Sequence, residues 1–381
     1  MTGLVTVEGP AVVTPVGRVA SVDFFRGVTM LLLAGESTHL YSLLVTPVLG
    51  GTLIAAVGAQ FEHHPWHGLH FWDLVQPFFM FIVGVALAFS VASRERHGQS
   101  RARITRHALR RSALLLLLGW ALYCIEPGRI TFRFQNVLAQ LSITYLAAFL
   151  LMRRSFRLQV AVTFALMALT EALYRLFPVA GFNQPFVPDH NFGSWVDLLI
   201  SGELSGGHWV SFNAVPTIAH TVWGVLAGQW LMSDRPAARK AARLALIGLA
   251  GVVAGFALDP VDPIIKRICT ASFVIVTGGW CLLALAACYW AIDIRGRQTG
   301  RGAVPAWVTF FNVVGMNSLF IYLFFESGGT GWVLRLVRPF TMAGAPLVGE
   351  LSARIATSIG AWALLWVMCY WLYRQRIVIK I

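Results

Sequence analysis

What most constrains this chain is a succession of apolar runs close to, or above, the ~20 residues that carry a helix across the hydrocarbon of a bilayer. They fall at about 22–44, 72–93, 107–125, 134–152, 157–177, 215–233, 240–258, 269–292, 305–326 and 355–373. Of the 381 residues, 57% are hydrophobic and 12% charged, with a mean hydropathy of +0.68; a soluble domain carries about 25% charged residues. Backbone groups in lipid must find their partners within the chain, so such runs form helices. The expectation is an all-α, polytopic membrane protein of about ten transmembrane helices, built as one domain over 1–381. The shorter apolar segment 47–60 holds three glycines and reads as a re-entrant or interfacial piece.

Basic residues orient such a chain, because cytoplasmic loops are enriched in Lys and Arg. With the N-terminus inside, the cytoplasmic set comprises Arg18, the seven arginines from Arg94 to Arg111, then Arg153, Arg154, Arg157, Arg235, Arg239, Lys240, Arg243, Arg295, Arg297 and Arg301. The tail adds Arg374, Arg376 and Lys380. These twenty-one face eight outside: Arg129, Arg133, Arg175, Lys266, Arg267, Arg335, Arg338 and Arg354. The bias predicts cytoplasmic N- and C-termini, a short cytoplasmic segment 1–20, and large extracytoplasmic loops at about 45–71 and 178–214. The net charge of +13 therefore reports topology, and nucleic acid is not an expected partner. Residues 1–17 lack a basic stretch followed by a short apolar one, so no cleaved signal peptide is expected. The five cysteines show no CxxC spacing and read as small core residues.

Four of the ten histidines, His63, His64, His67 and His70, crowd into eight residues just before the second apolar run. Neutral imidazole is suited to moving protons near neutral pH. The same cluster could also bind metal or simply line an interfacial loop. His63 and His67 have i,i+4 spacing, but Pro65 and Gly68 argue against a helix through them, and no Cys or HExxH supplies a zinc signature; no metal is expected. Asp73 is placed to cap the second span. Asp23 and Arg26 share a face of the first span and can pair; they form a structural ion pair, or Arg26 holds an anionic ligand from the cytoplasmic side. Glu36 and His39 form a candidate second layer around the histidines. The 178–214 loop offers Asp189, Asp197, Glu203, Trp195 and Trp209 and no Lys or Arg. It reads either as a binding surface for a polar, cationic or sugar-like ligand, or as a loop lying on the headgroups.

The run Ser21-Val22-Asp23-Phe24-Phe25-Arg26-Gly27 and the series His63, Trp66, Gly68, Asp73-Leu74-Val75, Pro77, Phe79, Phe81-Ile82 and Gly84 resemble the heparan-α-glucosaminide N-acetyltransferase family and its bacterial relatives. Weaker echoes follow in the same order: Arg110-Arg111, Val137-Leu138, Tyr145-Leu146, Gly224 to Gly228, Pro263-Ile264, Lys266, Thr270, Ser272-Phe273 and Gly315-Met316-Asn317-Ser318. The resemblance implies a membrane acetyltransferase that takes acetyl-CoA as co-substrate and acetylates an extracytoplasmic amino sugar or other glycan. It implies that His63 takes the proton from the attacking amine or carries the acetyl group, with Asp73 behind it. It further assigns Arg26, Lys266 and Asp23 to the donor, and Trp66, His67 and Asn317 to the acceptor. The chain departs from the family at Ala139-Gln140-Leu141, where Gln-Arg-Ile is common, at Ser37-Thr38 and at Ile265.

The abundance of Arg over Lys points to a GC-rich bacterial genome and an inner-membrane location. The expected partners are an acyl donor, a glycan acceptor and the bilayer, with a homodimer left open. The rival readings are an O-acyltransferase of cell-envelope polysaccharide, and a transporter or scaffold without turnover. The transporter reading would put acids deep in several spans, whereas Glu171 and Glu326 lie near the ends of theirs.

Overall fold

A computed structural model describes residues 19–125, 127–298 and 305–379, the side chains of 297 and 298 excepted. Arg18, Arg301, Lys380 and the side chain of Arg297, all counted in the charge reading, lie outside the described residues. Among the described residues the chain is helical and contains no strand; a single backbone bridge joins His67 to Ile265. In chain order the helices are α1 (Ala20–Ser37), α2 (Leu40–Leu44), α3 (Leu53–Ala59), α4 (Val75–Arg96), α5 (Arg101–Ile125), α6 (Val137–Leu151), α7 (Phe156–Leu176), α8 (Phe192–Ser201) and α9 (Ala214–Met232). They continue with α10 (Ala237–Leu258), α11 (Ala271–Cys288), α12 (Arg295–Gln298), α13 (Ala306–Met316), α14 (Ser318–Glu326), α15 (Gly329–Met342), α16 (Ala345–Val348) and α17 (Glu350–Arg374).

Every apolar run of the sequence is helical, but two are broken: 22–44 into α1 and α2 at Thr38–His39, and 305–326 into α13 and α14 at Asn317. Among the described residues, six are long and apolar enough to cross a membrane: α4 with its lead-in turn, α5, α7, α10, α11 with its π-helical continuation, and α17. The pair α13–α14, bent by 59° at Asn317, would make a seventh. The other expected spans are shorter or more polar. α6 has 15 residues; α1 carries Asp23, Arg26 and Glu36; and α9 carries Pro216, His220 and several threonines.

The core is built on α4 and α9. Gly84 and Gly224 let their backbones touch: a Cβ on Gly84 would lie 2.0 Å from the Thr221 carbonyl oxygen, and one on Gly224 would lie 2.0 Å from that of Phe81. Small residues at a crossing are how helices associate where lipid removes the hydrophobic drive. Phe81, Ile82, Val85, Val222 and Val225 fill the space around this crossing. By contrast α5, α7 and α10 expose leucine, isoleucine, valine and phenylalanine outward, a surface that suits acyl chains. Local signals set the helix starts. The side chains of Asn136, Ser155 and Asn191 accept from the amides of Ala139, Leu158 and Ser194, capping α6, α7 and α8. Segment 47–60 forms a short 3₁₀ turn and α3, with Val48 and Leu53 exposed. All five cysteines are free.

Candidate active site

α1 and α4 run in opposite directions, which gives the bundle two chemically different ends. One holds the end of α1 (Glu36) and the start of α4 (Asp73), linked by the Trp72 indole N–H donating to Glu36 at 2.9 Å. The other holds the start of α1 (Asp23, Arg26) and the end of α4 (Arg94, Arg96).

At the first end, three loops converge. Residues 60–74 contain no α-helix, in keeping with Pro65 and with Gly68, whose φ of +141° lies in the region that favours glycine. This loop is tied to the α10–α11 loop. The Gly68 amide donates to the Ile264 carbonyl at 2.9 Å, and the His67 imidazole meets Asp259 at 2.8 Å. Trp66 donates to the Phe186 carbonyl at 2.7 Å and so fastens the same loop to the α7–α8 connection.

Asp73 organises the centre. Its side chain is 1% exposed. Oδ2 accepts from the backbone amides of His64 (3.2 Å) and His70 (2.9 Å), and Oδ1 lies 3.0 Å from His63 Nδ1. Asp73 thus does not cap α4, whose start has no side-chain cap; it closes the capping box of the 3₁₀ turn Phe71–Leu74 that leads into that helix, and it supports the histidine at once. Lys266 Nζ, on a side chain 5% exposed, lies 3.1 Å from His63 Nδ1 and 3.6 Å from Asp73 Oδ1. Nδ1 thus faces a carboxylate and an ammonium at once: as the Nδ1–H tautomer it donates to Asp73 and leaves Nε2 as the basic nitrogen, and as the Nε2–H tautomer it accepts from Lys266. The His63 side chain is 33% exposed.

Burial, followed by the positive charge of Lys266, pushes the His63 pKa down to about 4, against the opposing pull of Asp73. The imidazole is therefore neutral at neutral pH. Burial lowers the Lys266 pKa, with Asp73 and Glu36 opposing. Trp209, from the loop before α9, covers the group. Its ring is 5.2 Å from the His63 ring, 5.6 Å from Lys266 Nζ and 5.2 Å from the Arg267 guanidinium, while Arg267 donates to the Gly207 carbonyl. The other histidines serve the loop: His64 packs on His70 at 4.8 Å, and His70 Nδ1 meets the Glu62 carbonyl at 3.0 Å.

The acids offered by the 178–214 loop are already engaged. Asp189 bonds to His208 at 2.7 Å, Asp197 accepts from Gln135 at 3.1 Å and from the Ser211 amide, and Glu203 holds Arg129 and Arg133. The loop is a packed cover over the site.

At the opposite end a cavity of about 710 Å³ opens among α1, α4, α5, α6 and α13–α14. Arg26, Arg94, Arg96, Arg111, His97 and His107 line it; among its described lining residues Asp23 is the one carboxylate, paired to Arg26 at 2.7 Å as their spacing predicts. Phe79, Leu115, Leu138 and Leu141 form apolar wall. Phe79 follows Asp73 by six residues, roughly 10 Å of helix rise, so α4 links the cavity to the centre at the other end. Between them lies a polar layer in which Gln76 donates to Gln140, and Gln140 donates to Asn213 at 2.6 Å and to the Gln135 carbonyl at 3.1 Å.

The structure brings His63, Asp73 and Lys266 together, with Trp66 and His67 in the same loop. It separates Lys266 from Arg26 and Asp23, with which the sequence reading grouped it, by placing them at opposite ends. Asn317 is not at the His63 centre. It sits at the α13–α14 bend and holds the C-terminal tail, donating to the Ile377 carbonyl at 3.1 Å and accepting from the Ile379 amide at 3.0 Å. The sequence reading missed Trp209 and Arg267 as neighbours of His63, and counted Arg94, Arg96 and Arg111 only as topology signals. The Lys266-Arg267 pair in the α10–α11 loop was the available clue to Arg267.

Fold and site define a polytopic helical membrane protein with a histidine–carboxylate–lysine centre at one end and a cation-lined cavity at the other. No protein-family model matches the chain. It is similar to the mouse heparan-alpha-glucosaminide N-acetyltransferase, 24% identical across 96% of this chain. It is also similar to the human protein of that name, 31% identical over 137 residues that cover 34% of this chain and 18% of the human one. The chain is a distant relative of these N-acetyltransferases and spans 60% of the length of the mouse protein.

Proposed function

We propose that this protein is a membrane acetyltransferase that carries an acetyl group from acetyl-CoA at its arginine-lined end to an amino sugar or other glycan amine at its His63 end. The observation that carries the proposal is the buried cluster in which Asp73 Oδ1 lies 3.0 Å and Lys266 Nζ 3.1 Å from Nδ1 of a partly exposed His63. In this reading the ten-helix topology with cytoplasmic termini holds, the arginine-lined cavity faces the cytoplasm, and the membrane is a bacterial plasma membrane.

The cavity fits the donor in kind. Its volume lies within the ~300–1,000 Å³ range of small-molecule sites, its arginines suit phosphates, and its apolar depth suits a pantetheine arm. Acetyl-CoA supplies an acetyl group activated as a thioester. Arg26, Arg94, Arg96 and Arg111 would hold the anionic portion at the mouth. The Gln76–Gln140 layer would mark the depth at which the acyl end meets the acceptor.

An amine must lose a proton to attack a carbonyl carbon. His63 Nε2 takes that proton as the C–N bond forms and the C–S bond breaks, and the same proton is available to the departing sulfur. Asp73 holds the imidazole in the required tautomer and stabilises its protonated form. Lys266 puts a positive charge beside the position where the carbonyl oxygen becomes negative. Trp209 and the loops around it exclude water. Trp66 and His67, on the same loop, would border the acceptor.

Purified protein with labelled acetyl-CoA and a panel of amino sugars tests this. Wild type is expected to transfer label and His63→Ala is not; equal transfer by the two would remove His63 from the chemistry, and no transfer by wild type to any amine or hydroxyl acceptor would remove the enzyme class.

A further inference from the structure

A second cationic cavity, separate from the acetyl-transfer site, lies at the His63 end of the bundle between α15 and α17. Helix α15 has three distinct faces. Val333 and Thr341 pack toward α17, the Thr341 hydroxyl meeting that of Thr357 at 2.6 Å. Trp332, Leu336 and Phe340, at i, i+4 and i+8, are 74%, 66% and 80% exposed, an outward apolar stripe. The third face, Leu334, Arg335, Arg338 and Met342, lines a cavity of about 390 Å³.

The opposite wall of that cavity is Arg354 and Glu350 of α17, with Thr38 and His39 after the end of α1. Three arginines and one carboxylate therefore line the cavity. Among the described residues none of Arg335, Arg338 and Arg354 forms an ion pair; Arg335 lies over the Trp332 ring at 5.2 Å. Arginines lining one pocket suit a phosphate, which can accept two parallel hydrogen bonds from a guanidinium fork. The apolar stripe one face away, continued by the exposed Leu347 and Val348 of α16, is a surface for acyl chains. An amphipathic helix with this division lies in the membrane interface, apolar side toward the chains and cations toward the headgroups.

From this juxtaposition we infer that the α15–α17 cavity is a binding site for the phosphate headgroup of an anionic membrane lipid, whose acyl chains run along Trp332, Leu336 and Phe340. The combination selects a lipid over a soluble phosphate ester, because the cations and the apolar stripe belong to adjacent faces of one helix. This inference is independent of the acetyl-transfer reading and stands or falls on lipid binding alone.

The test is native mass spectrometry and thermal unfolding of the full chain in nanodiscs of phosphatidylcholine, with and without phosphatidylglycerol. Wild type is expected to retain a phosphatidylglycerol with roughly tenfold preference over phosphatidylcholine and to unfold at a higher temperature when it is present. R335Q/R338Q/R354Q is expected to lose both effects while unfolding like wild type in phosphatidylcholine alone. Should the triple variant fail to fold, R338Q must show a severalfold weaker preference. Equal retention by wild type and variants, or no preference in wild type, overturns the site. Displacement of the lipid by glycerol 3-phosphate at equal concentration overturns its assignment to a lipid.

Discussion

The two ends of the bundle treat charge in opposite ways. At the His63 end, a carboxylate 1% exposed and an ammonium 5% exposed sit against one imidazole, and Asp73 collects three donors. At the other end, arginines line an open cavity beside a single carboxylate already paired. Groups that are desolvated and mutually bonded have displaced pKa values, which is how a site is prepared for proton transfer. Cations left facing an open cavity are prepared for an anion that arrives from outside. The proposed function puts chemistry at one end and binding at the other, and variants at the two ends should therefore differ in kind.

The largest effect is expected from His63→Ala, which should lower kcat by ~10²–10⁴ and leave the KM for acetyl-CoA unchanged in steady-state kinetics. Asp73→Ala should cost about 3–5 kcal/mol of stability, because it strands Lys266 in a buried position; chemical unfolding in detergent measures this, and a loss below about 1 kcal/mol would deny the buried pair its structural role.

Lys266→Gln sharpens the electrostatic half of the comparison. A nearby positive charge disfavours protonated His63, so removing it raises the His63 pKa from about 4 toward the ordinary ~6.5. The base is active when neutral, so the acid limb of kcat/KM, near 4 in wild type, should move up; burial, the larger cause of the low value, remains, so the rise stays under two pH units and the loss at pH 5 under about tenfold. Conformational stability follows the same sign. A histidine whose folded pKa is lowered stabilises fully above its unfolded value and loses that contribution as pH falls from about 6.5 through 4.

At the other end, Arg94→Gln or Arg111→Gln should raise the KM for acetyl-CoA roughly tenfold each, equivalent to about 1.4 kcal/mol, with kcat held and the difference shrinking at high salt. The smallest effect is expected from His67→Asn. Its exposed contact with Asp259 should contribute under about 1 kcal/mol, visible as a modest change in acceptor KM.

Much of the His63 end was legible in the sequence because its parts are local. His63 and Asp73 are ten residues apart, Pro65 and Gly68 forbid a helix between them, and Asp73 opens an apolar run. Lys266, Trp209 and Arg267 come from loops far along the chain, and only packing brings them to the imidazole. The arginine-lined cavity was hidden for another reason. Arg94, Arg96 and Arg111 carry a topology signal so strong that a binding role is invisible behind it until α1, α5 and α6 enclose the space. Asn317 shows the reverse error: a motif residue grouped with the acceptor is occupied with the chain's own C-terminal tail at a helix bend. The helices themselves were plain from apolar length, but the expected spans at 22–44, 134–152 and 215–233 became α1, α6 and α9, which are more polar or shorter than the six helices long and apolar enough to cross a membrane.

The most direct test of the division between the ends uses proteoliposomes of known orientation, with acetyl-CoA confined to one side and glucosamine to the other. The account predicts labelled product only when acetyl-CoA meets the arginine-lined end and the amine meets the His63 end, and none with His63→Ala. Acetylation that requires donor and amine on the same side, or that proceeds unchanged in His63→Ala, would contradict it.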